Sequence, residues 1–258
     1  MKSRYMDFEF KGQVVLITGG ASGIGRGIAE AFAEHGANVA LTYLTSREGA
    51  QSTVAAIEQA GSHALALHAD LTHESDVERV VVATIERFGR IDVLVTNSGG
   101  LLQRARVVDC TLELWNQAIA LNLTSTFLCC RAVLPHMERV KQGCIITMSS
   151  LAAHNGGGQG AAHYAATKGA IITFTKALAK EVGPLGIRVN GLAPGLIGTQ
   201  FHDRFSTPEM RQSAVAQTPL RREGTPADVA GVALFLASPH ASFLAGETIE
   251  INGGQGMY

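Results

Sequence analysis

The sequence has 258 residues, of which 46% are hydrophobic and 17% charged, and its formal net charge is −1 at pH 7. This composition is too apolar for a disordered chain, and the length suits one α/β domain with a large core. The nearly neutral charge removes the main driving force for sequence-independent binding to nucleic acid. We therefore expect a globular protein whose partners are small molecules and not nucleic acid.

The N-terminal stretch and the cysteines bear on where the protein resides. Residues 1–12, MKSRYMDFEFKG, are charged and contain no apolar run of signal-peptide length. The sequence contains no run of 18 consecutive apolar residues. Its four cysteines form no CxxC pair and its nine histidines show no metal-binding spacing, so we expect reduced thiols and no metal centre. These features predict a cytoplasmic protein that does not bind a membrane.

Short β-branched apolar runs alternate with longer amphipathic stretches along the whole chain. The short runs predict strands at 14–17, 38–43, 64–69, 93–97, 144–149, 187–193 and 248–252. The longer stretches predict helices that include 25–36, 46–61, 74–89, 112–140 and 165–183. Regular alternation of this kind predicts a single α/β domain, with a Rossmann-type, doubly wound parallel sheet of about seven strands and helices on both faces.

The segment 196–223 interrupts the alternation, since it mixes aromatic and charged residues with two prolines. Ligands of doubly wound sheets bind beyond the C-terminal ends of the strands, so we expect this segment to form a lid over a site. A disordered surface loop is the alternative. Phe201, Phe205 and Met210 would either line an apolar pocket under the lid or pack the lid onto the body of the protein.

A glycine-rich turn, TGGASGIG at 18–25, connects the first predicted strand to the first helix. Gly19, Gly23 and Gly25 permit a sharp turn and a close approach of the backbone to a ligand. The free N–H groups at the start of the following helix carry partial positive charge that suits a pyrophosphate. This context predicts a dinucleotide site, to which Ser22 and Ile24 of the same turn also contribute.

The end of the second strand bears on the choice between NAD and NADP. Sites that prefer NAD usually place a carboxylate there for the ribose 2′-hydroxyl. This sequence has no carboxylate at that point but offers two hydroxyls and a guanidinium for a 2′-phosphate. We therefore expect NADP(H), with NAD(H) possible if Arg47 is merely solvated. The residues concerned are Tyr43, Leu44, Thr45, Ser46 and Arg47.

Tyr164 and Lys168 lie four residues apart, so they share one face of a predicted helix. Lowering the pKa of a phenol from ~10 to ~7 takes about 4 kcal/mol, which an ammonium group about 4 Å away supplies at an effective dielectric constant near 20. Ser150 follows the fifth strand, where its hydroxyl would polarise a substrate carbonyl. The pattern predicts hydride transfer to a carbonyl carbon with Tyr164 as the proton donor.

The motifs TGGASGIG (18–25) and YAATK (164–168), in this order, resemble the short-chain dehydrogenase/reductase family from about residue 12 to residue 254. The resemblance implies catalytic roles for Tyr164, Lys168 and Ser150, with Ser150 preferred over Ser149, and implies that Asn122 holds a water for proton relay. It implies cofactor contacts for Tyr164 and Lys168 and for Asp70, Leu71, Asn97, Ser98, Gly99, Pro194, Gly195, Ile197 and Thr199. Thr96 and Ser98 depart from the usual NNAG motif of the family.

The sequence is similar to members of this family that reduce 3-oxoacyl groups on a carrier protein. Lys141 suits one position that docks the acidic carrier, but Leu185 stands where a second basic residue is expected. Small ketones, sugars and other alcohols therefore stay open as substrates. Arg104 and Arg106, after the fourth strand, would either attract an acidic substrate or lie in a solvated loop. The resemblance also implies a homotetramer built through helices 112–140 and 165–183.

Four functions are consistent with these observations. The first is an NADP(H)-dependent carbonyl reductase or alcohol dehydrogenase. An NAD-dependent sugar or alcohol dehydrogenase, or an isomerase or epimerase, would use the same scaffold. A catalytically silent protein that senses the cofactor is the alternative from a different class.

Overall fold

The computed structural model describes residues 8–258 and contains a single seven-stranded sheet in which every strand runs parallel to its neighbours. The strands are β1 (Val14–Ile17), β2 (Asn38–Tyr43), β3 (Ala64–His68), β4 (Val93–Thr96), β5 (Gly143–Met148), β6 (Ile187–Pro194) and β7 (Thr248–Ile251). Their spatial order is β3-β2-β1-β4-β5-β6-β7. The predicted fold class and all seven predicted strands are confirmed, since each strand agrees with its prediction to within one residue at either end.

Helices cover both faces of this sheet. They are α1 (Gly23–Glu34), α2 (Arg47–Gln59), α3 (Glu74–Phe88), α4 (Leu112–Ala118), α5 (Ser125–Val140), α6 (Ala152–Asn155), α7 (Ala162–Val182), α8 (Gln200–Phe205), α9 (Pro208–Gln217) and α10 (Pro226–Ala237). The single helix predicted over 112–140 is divided, because a π-helical turn at Ile119–Thr124 joins α4 to α5. The segment 196–223 contains α8 and α9.

The strands read as continuous apolar runs because both of their faces are buried. Alternate side chains of β1 illustrate this, since Val15 packs with Phe32 of α1 in one core cluster and Leu16 packs with Val133 of α5 in the other. All four of these side chains are at most 1% exposed. Burial of such side chains contributes about 1.5–3 kcal/mol each, which holds the helices on the sheet.

The sheet order reverses direction next to β1, because β2 lies on one side of β1 and β4 lies on the other. Loops that leave the C-terminal ends of β1 and β4 therefore diverge to opposite faces, which opens a crevice at that edge. The loops after β5 and β6 reach the same edge. The topology thus gathers four loops at one place without any of them needing to be close in sequence.

One stretch of the described residues, Leu112–Val140, is long and apolar enough to cross a membrane by length and composition, with a mean hydropathy of 1.4. In the structure its buried side chains, among them Leu128, Val133 and Met137, pack in the core beside the sheet. The core helix of a protein with no membrane contact meets the same criterion.

Candidate active site

A cavity of about 930 Å³ lies at the C-terminal edge of the sheet, where the strand order reverses. Most of the predicted site residues line it. They are Gly19, Ser22, Gly23, Ile24, Tyr43, Leu44, Asp70, Leu71, Asn97, Ser98, Gly99, Ser150, Tyr164, Lys168, Pro194, Gly195, Ile197 and Thr199. Five do not line it, namely Gly25, Thr45, Ser46, Arg47 and Asn122.

The turn after β1 allows a ligand to approach the backbone closely. Gly19 and Gly23 adopt the left-handed conformation, with φ of +66° and +54°. A Cβ on Gly25 would overlap the Gly19 carbonyl oxygen and lie 2.5 Å from Nδ2 of Asn97. Gly25 therefore packs behind the turn, which explains why it is absent from the cavity wall.

Two side chains hold this turn in shape. The Asn97 amide donates to the carbonyl oxygens of Thr18 and Gly19 at 2.9 and 3.1 Å. The Thr42 hydroxyl oxygen accepts from the Gly19 N–H at 3.1 Å. We missed Thr42, although a polar residue near the end of the apolar strand NVALTY was a usable signal. The glycine turn and the start of α1 together fit the pyrophosphate of a dinucleotide.

The end of β2 is only partly inside the cavity. Tyr43 and Leu44 line it, whereas Thr45, Ser46 and Arg47 are exposed just beyond, at the start of α2. Asp70, which follows β3, lies on the same wall. Burial alone would raise the pKa of Asp70, but hydrogen bonds from the backbone and hydroxyl of Thr72 outweigh it and hold that pKa below its usual value.

Tyr164 and the two serines after β5 line the cavity. The Ser149 hydroxyl is buried and donates to the main-chain oxygen of Lys168 at 2.8 Å. The Ser150 hydroxyl oxygen instead accepts from the Ala152 N–H at 3.2 Å and lies close enough to the Tyr164 phenol to affect its pKa. Burial raises the pKa of the half-buried Tyr164, and the neighbouring Ser150 hydroxyl acts in the opposite direction. The structure therefore distinguishes the serines, with Ser149 fixing α7 to the sheet and Ser150 facing the phenol.

Lys168 is buried one turn further along α7. It is 3% exposed, and its ammonium donates to the Met148 carbonyl oxygen at 2.7 Å. Burial lowers its pKa to about 8, because the charged form loses its hydration. The ammonium nitrogen is 5.6 Å from the centre of the Tyr164 ring. The lowered pKa that we expected for Tyr164 is not found here, since burial of the phenol outweighs the effect of an ammonium that is directed at Met148.

Asn122 lies behind the cavity wall in the π-helical turn between α4 and α5. Its Oδ1 accepts from the Gly100 N–H at 2.9 Å, and its Nδ2 donates to the carbonyl oxygens of Gly100 and Ala118, both at 3.0 Å. A Cβ on Gly99 would lie 2.6 Å from this Oδ1 and 3.3 Å from the Lys168 ammonium nitrogen. The fully buried Asn122 therefore fixes the loop that separates it from Lys168.

The loop after β6 forms a further part of the cavity wall. A Cβ on Gly195 would lie 2.8 Å from the Cβ of Asn252, so this glycine allows β6 and the chain after β7 to approach. Ile197 is 2% exposed and is bridged to Gly224. Thr199 reaches the first glycine turn, where a Cβ on Gly23 would lie 3.5 Å from it. The loop thus connects the dinucleotide turn to the segment 196–223.

Aromatic and polar side chains of the segment 196–223 extend the cavity beyond Tyr164. Phe201 lies 6.0 Å from Tyr164 and 5.0 Å from Phe205 between ring centres. Phe201 and Met210 line the cavity, whereas Phe205 packs against Phe201 without lining it. The expectation that these residues line a pocket thus applies to Phe201 and Met210, and the expectation that they pack the segment applies to Phe205.

His202 also lines the cavity, and no sequence motif indicated it. Its Nδ1 is 2.9 Å from the Ser206 hydroxyl oxygen. Burial lowers its pKa to about 4, aided by the nearby Arg211 and Arg104. The imidazole is therefore neutral near pH 7. Gln255, from the C-terminal segment, is a further lining residue that we missed.

The cysteines and potential metal ligands show no further centre. Cys110, Cys129, Cys130 and Cys144 are free thiols. Burial raises the pKa of Cys129 to about 12 and that of Cys144 to about 11, so both are inert thiols near pH 7. Within residues 8–258 no group of three or more His, Cys, Asp or Glu side chains is placed to hold a metal ion.

A glycine turn at the end of β1, beside the point where the strand order reverses, is a feature of the dinucleotide-binding α/β proteins. A family model described as enoyl-(acyl carrier protein) reductase matches residues 19–255. The 3-oxoacyl-[acyl-carrier-protein] reductase of Synechocystis sp. is 38% identical over 247 residues, which cover 95% of this chain and 98% of that protein.

Solved structures are similar over almost the whole chain. A 7α-hydroxysteroid dehydrogenase complexed with NADH and 7-oxo glycochenodeoxycholic acid has a TM-score of 0.91 and 35% identity, and covers 96% of this chain and 95% of its own. A 3-ketoacyl-(acyl-carrier-protein) reductase from Brucella melitensis, complexed with NADH, has a TM-score of 0.89 and 33% identity, with coverage of 96% and 99%. The chain belongs to the short-chain dehydrogenase/reductase family, as predicted, and the protein is an oxidoreductase.

Proposed function

We propose that the protein is an NADP(H)-dependent oxidoreductase that transfers hydride between the nicotinamide and a carbonyl or secondary alcohol, with Tyr164 as the acid–base group. The observation that carries this proposal is the convergence of Ser150, Tyr164 and Lys168 on one cavity that continues to the glycine turn. When bound, the nicotinamide supplies or accepts the hydride. The protein positions the reacting atoms and moves the proton.

Each catalytic side chain has a definite task in this proposal. The hydroxyls of Ser150 and Tyr164 donate to the substrate carbonyl oxygen and stabilise the negative charge that develops there. Tyr164 then gives up its proton. The high pKa of its buried phenol keeps the proton in place until that charge develops. Lys168 returns a proton towards Tyr164, and its lowered pKa makes that release easier near neutral pH.

Asn122 supports the return of this proton in the proposal. Both donors of its amide are used, by the carbonyl oxygens of Gly100 and Ala118, so the amide itself has no free donor for a relay. We assign it the task of holding the Gly99–Gly100 turn open beside Lys168, where a water can approach the ammonium.

The first test is the substitution Tyr164→Phe, which removes the proton donor and keeps the ring. We expect kcat to fall by about 10²–10⁴-fold for reduction of ketones and β-ketoesters with NADPH, while NADPH still binds. The oxidation of NADPH is followed by absorbance, and NADPH binding by fluorescence. Activity within threefold of the wild type would contradict the role of Tyr164. Tight NADPH binding without turnover in the wild type would favour the cofactor-sensing alternative.

The preference for NADP(H) is supported by the absence of a carboxylate in residues 43–47 and by the exposed Arg47. A hydrogen bond from a charged group contributes about 1.5–3 kcal/mol, so Arg47→Ala should raise the KM for NADPH by about tenfold or more. The KM for NADH should change by less than threefold. Arg87→Ala, an exposed arginine in α3, is the matched control. Equal effects on both cofactors would contradict the assignment.

The remaining proposals concern assembly, the segment 196–223 and location. We infer a single domain in which this segment acts as a lid, because its residues Phe201 and Met210 line the cavity. A homotetramer is supported by exposed apolar residues of α4 and α5, such as Leu112 and Phe127. Light scattering would measure the assembly. We also infer a cytoplasmic location.

A further inference from the structure

We propose that Arg104 is a specificity-determining residue that selects carbonyl substrates carrying a carboxylate. This inference rests on the proposed function and names the substrate class of the same cavity. Arg104 lies in the loop after β4 and lines the cavity, whereas Arg106 does not. Arg106 instead lies 3.9 Å from the carboxylate of Asp109. The structure thus separates two arginines that the sequence left equivalent.

The guanidinium of Arg104 is held by neutral groups. Its Nε donates to the Phe205 carbonyl oxygen at 3.0 Å, and its Nη1 donates to the Gln159 carbonyl oxygen at 2.8 Å. Among residues 8–258, no carboxylate oxygen lies within 4.0 Å of it. A guanidinium has five N–H donors, so these two bonds fix its plane and leave donors for a ligand. Its positive charge is not cancelled by a partner.

Gly158 keeps the guanidinium accessible. A Cβ at this position would lie 3.2 Å from Nη1 and 3.6 Å from Nη2 of Arg104, and Gly158 itself lines the cavity. The loop between Ser150 and Tyr164 therefore passes the arginine without a side chain at that point. A planar group such as a carboxylate can approach the fork from the cavity, which is the geometry in which arginine binds it most strongly.

Two other charged side chains that line the cavity, Arg211 and Glu209, belong to the segment 196–223. Arg211 is bonded by both oxygens of Glu223 and by Asp203, at 2.5–2.7 Å. Glu209 is exposed at the start of α9, where hydrogen bonds from its own backbone and from Thr207 lower its pKa. The field of Arg104 reaches the neighbouring His202, where it adds to burial and Arg211 in lowering the pKa to about 4. Of the two arginines that line the cavity, Arg104 is thus the one without a carboxylate partner.

The test compares oxo acids of several chain lengths with their methyl esters, using NADPH as reductant. Each acid and ester pair differs only in the charge that Arg104 would bind. We expect the wild type to favour the best acid over its ester by at least tenfold in kcat/KM. In Arg104→Gln this ratio should fall to near one through the KM of the acid, while the ester is unaffected. Arg106→Gln removes the same charge outside the cavity and should leave the ratio unchanged.

Several results would overturn the inference. One is a wild-type ratio near one at every chain length, and another is a ratio that survives in Arg104→Gln. Equal losses for acid and ester would mean that Arg104 only ties the loops together. If Arg104→Gln does not fold, Arg104→Lys keeps the charge without the fork and should give an intermediate ratio. If no carbonyl compound is reduced, the proposed function fails. In that case thermal stabilisation of the wild type by oxo acids but not by esters still decides this inference.

Discussion

The substitution Asn122→Asp is expected to destabilise the protein strongly although it barely changes the size of the side chain. The Oδ1 of Asn122 accepts from Gly100, and an aspartate keeps that acceptor. Its Nδ2 donates to the carbonyl oxygens of Gly100 and Ala118 at 3.0 Å, and an ionised aspartate cannot donate. Two buried carbonyl oxygens then face a carboxylate. Each unsatisfied buried group costs about 1–3 kcal/mol, so the loss should be about 2–6 kcal/mol.

Urea unfolding followed by circular dichroism, at one fixed protein concentration, measures this loss. With a slope of about 3 kcal/mol per M, the midpoint should fall by about 0.7–2 M. The introduced carboxyl would have a raised pKa in the folded state, so the folded variant binds a proton that the unfolded chain releases. Its deficit relative to the wild type should therefore narrow as the pH falls from 8 towards 5.

The same chemical change at an exposed site provides the control. The Asn155 Oδ1 accepts from the Gly157 N–H at 2.8 Å, and an aspartate retains this acceptor. Asn155→Asp should change the free energy of unfolding by less than about 0.5 kcal/mol. If Asn122→Asp behaves like Asn155→Asp, the three hydrogen bonds of Asn122 do not hold the Gly100 turn and our account of this residue is wrong.

Two further substitutions test the glycine turn and the buried lysine. Gly25→Ala should abolish dinucleotide binding, as measured by fluorescence titration, because the new Cβ overlaps the Gly19 carbonyl oxygen. The control is Gly231→Ala in α10, where a Cβ meets nothing within 4 Å, and it should stabilise the protein by about 0.5–1 kcal/mol. Unimpaired dinucleotide binding by Gly25→Ala would refute the packing argument. The pKa of Lys168 is about 8 in the folded protein and ~10.4 in the unfolded chain, so between these pH values the unfolded chain binds one more proton. The free energy of unfolding should therefore rise by about 2 kcal/mol from pH 8 to pH 10. In urea unfolding, Lys168→Met should remove this rise with pH, whereas the control Lys180→Met, at an exposed position, should retain it. An equal dependence of the free energy of unfolding on pH in the two variants would contradict the effect of burial.

The sequence was sufficient for the sheet because burial on both faces makes each strand a continuous apolar run. The run VVLI at 14–17, for example, needs no tertiary information to be read as a buried parallel strand. Tyr164 and Lys168 could be placed together for a similar reason, since a spacing of four residues fixes their face on any α-helix. Local rules of this kind account for most of the cavity wall.

Features that depend on contacts between distant residues could not be predicted in the same way. The π-helical turn is accompanied by two hydrogen bonds between Asn122 and Gly100, one donated by each residue, which lie 22 residues apart in sequence. The direction of the pKa change in Tyr164 depends on how far the phenol is buried and on where the Lys168 ammonium points. The YAATK motif determines neither of these. Arg47 has the right chemistry for a phosphate, but the start of α2 places it just outside the cavity wall.

The π-helical turn at Ile119–Thr124 also sets the relative phase of the two helices that it joins. A π-helical turn contains one residue more than the corresponding α-helical turn, and one residue corresponds to a rotation of about 100° around the helix axis. This extra residue lets α4 pack against α7 while α5 packs against α3 and the sheet. Removing it would force one of the two helices to turn its buried face away. The added residue therefore sets the rotation between the two helices, and it lies in the turn where Asn122 is hydrogen-bonded to the loop at Gly100.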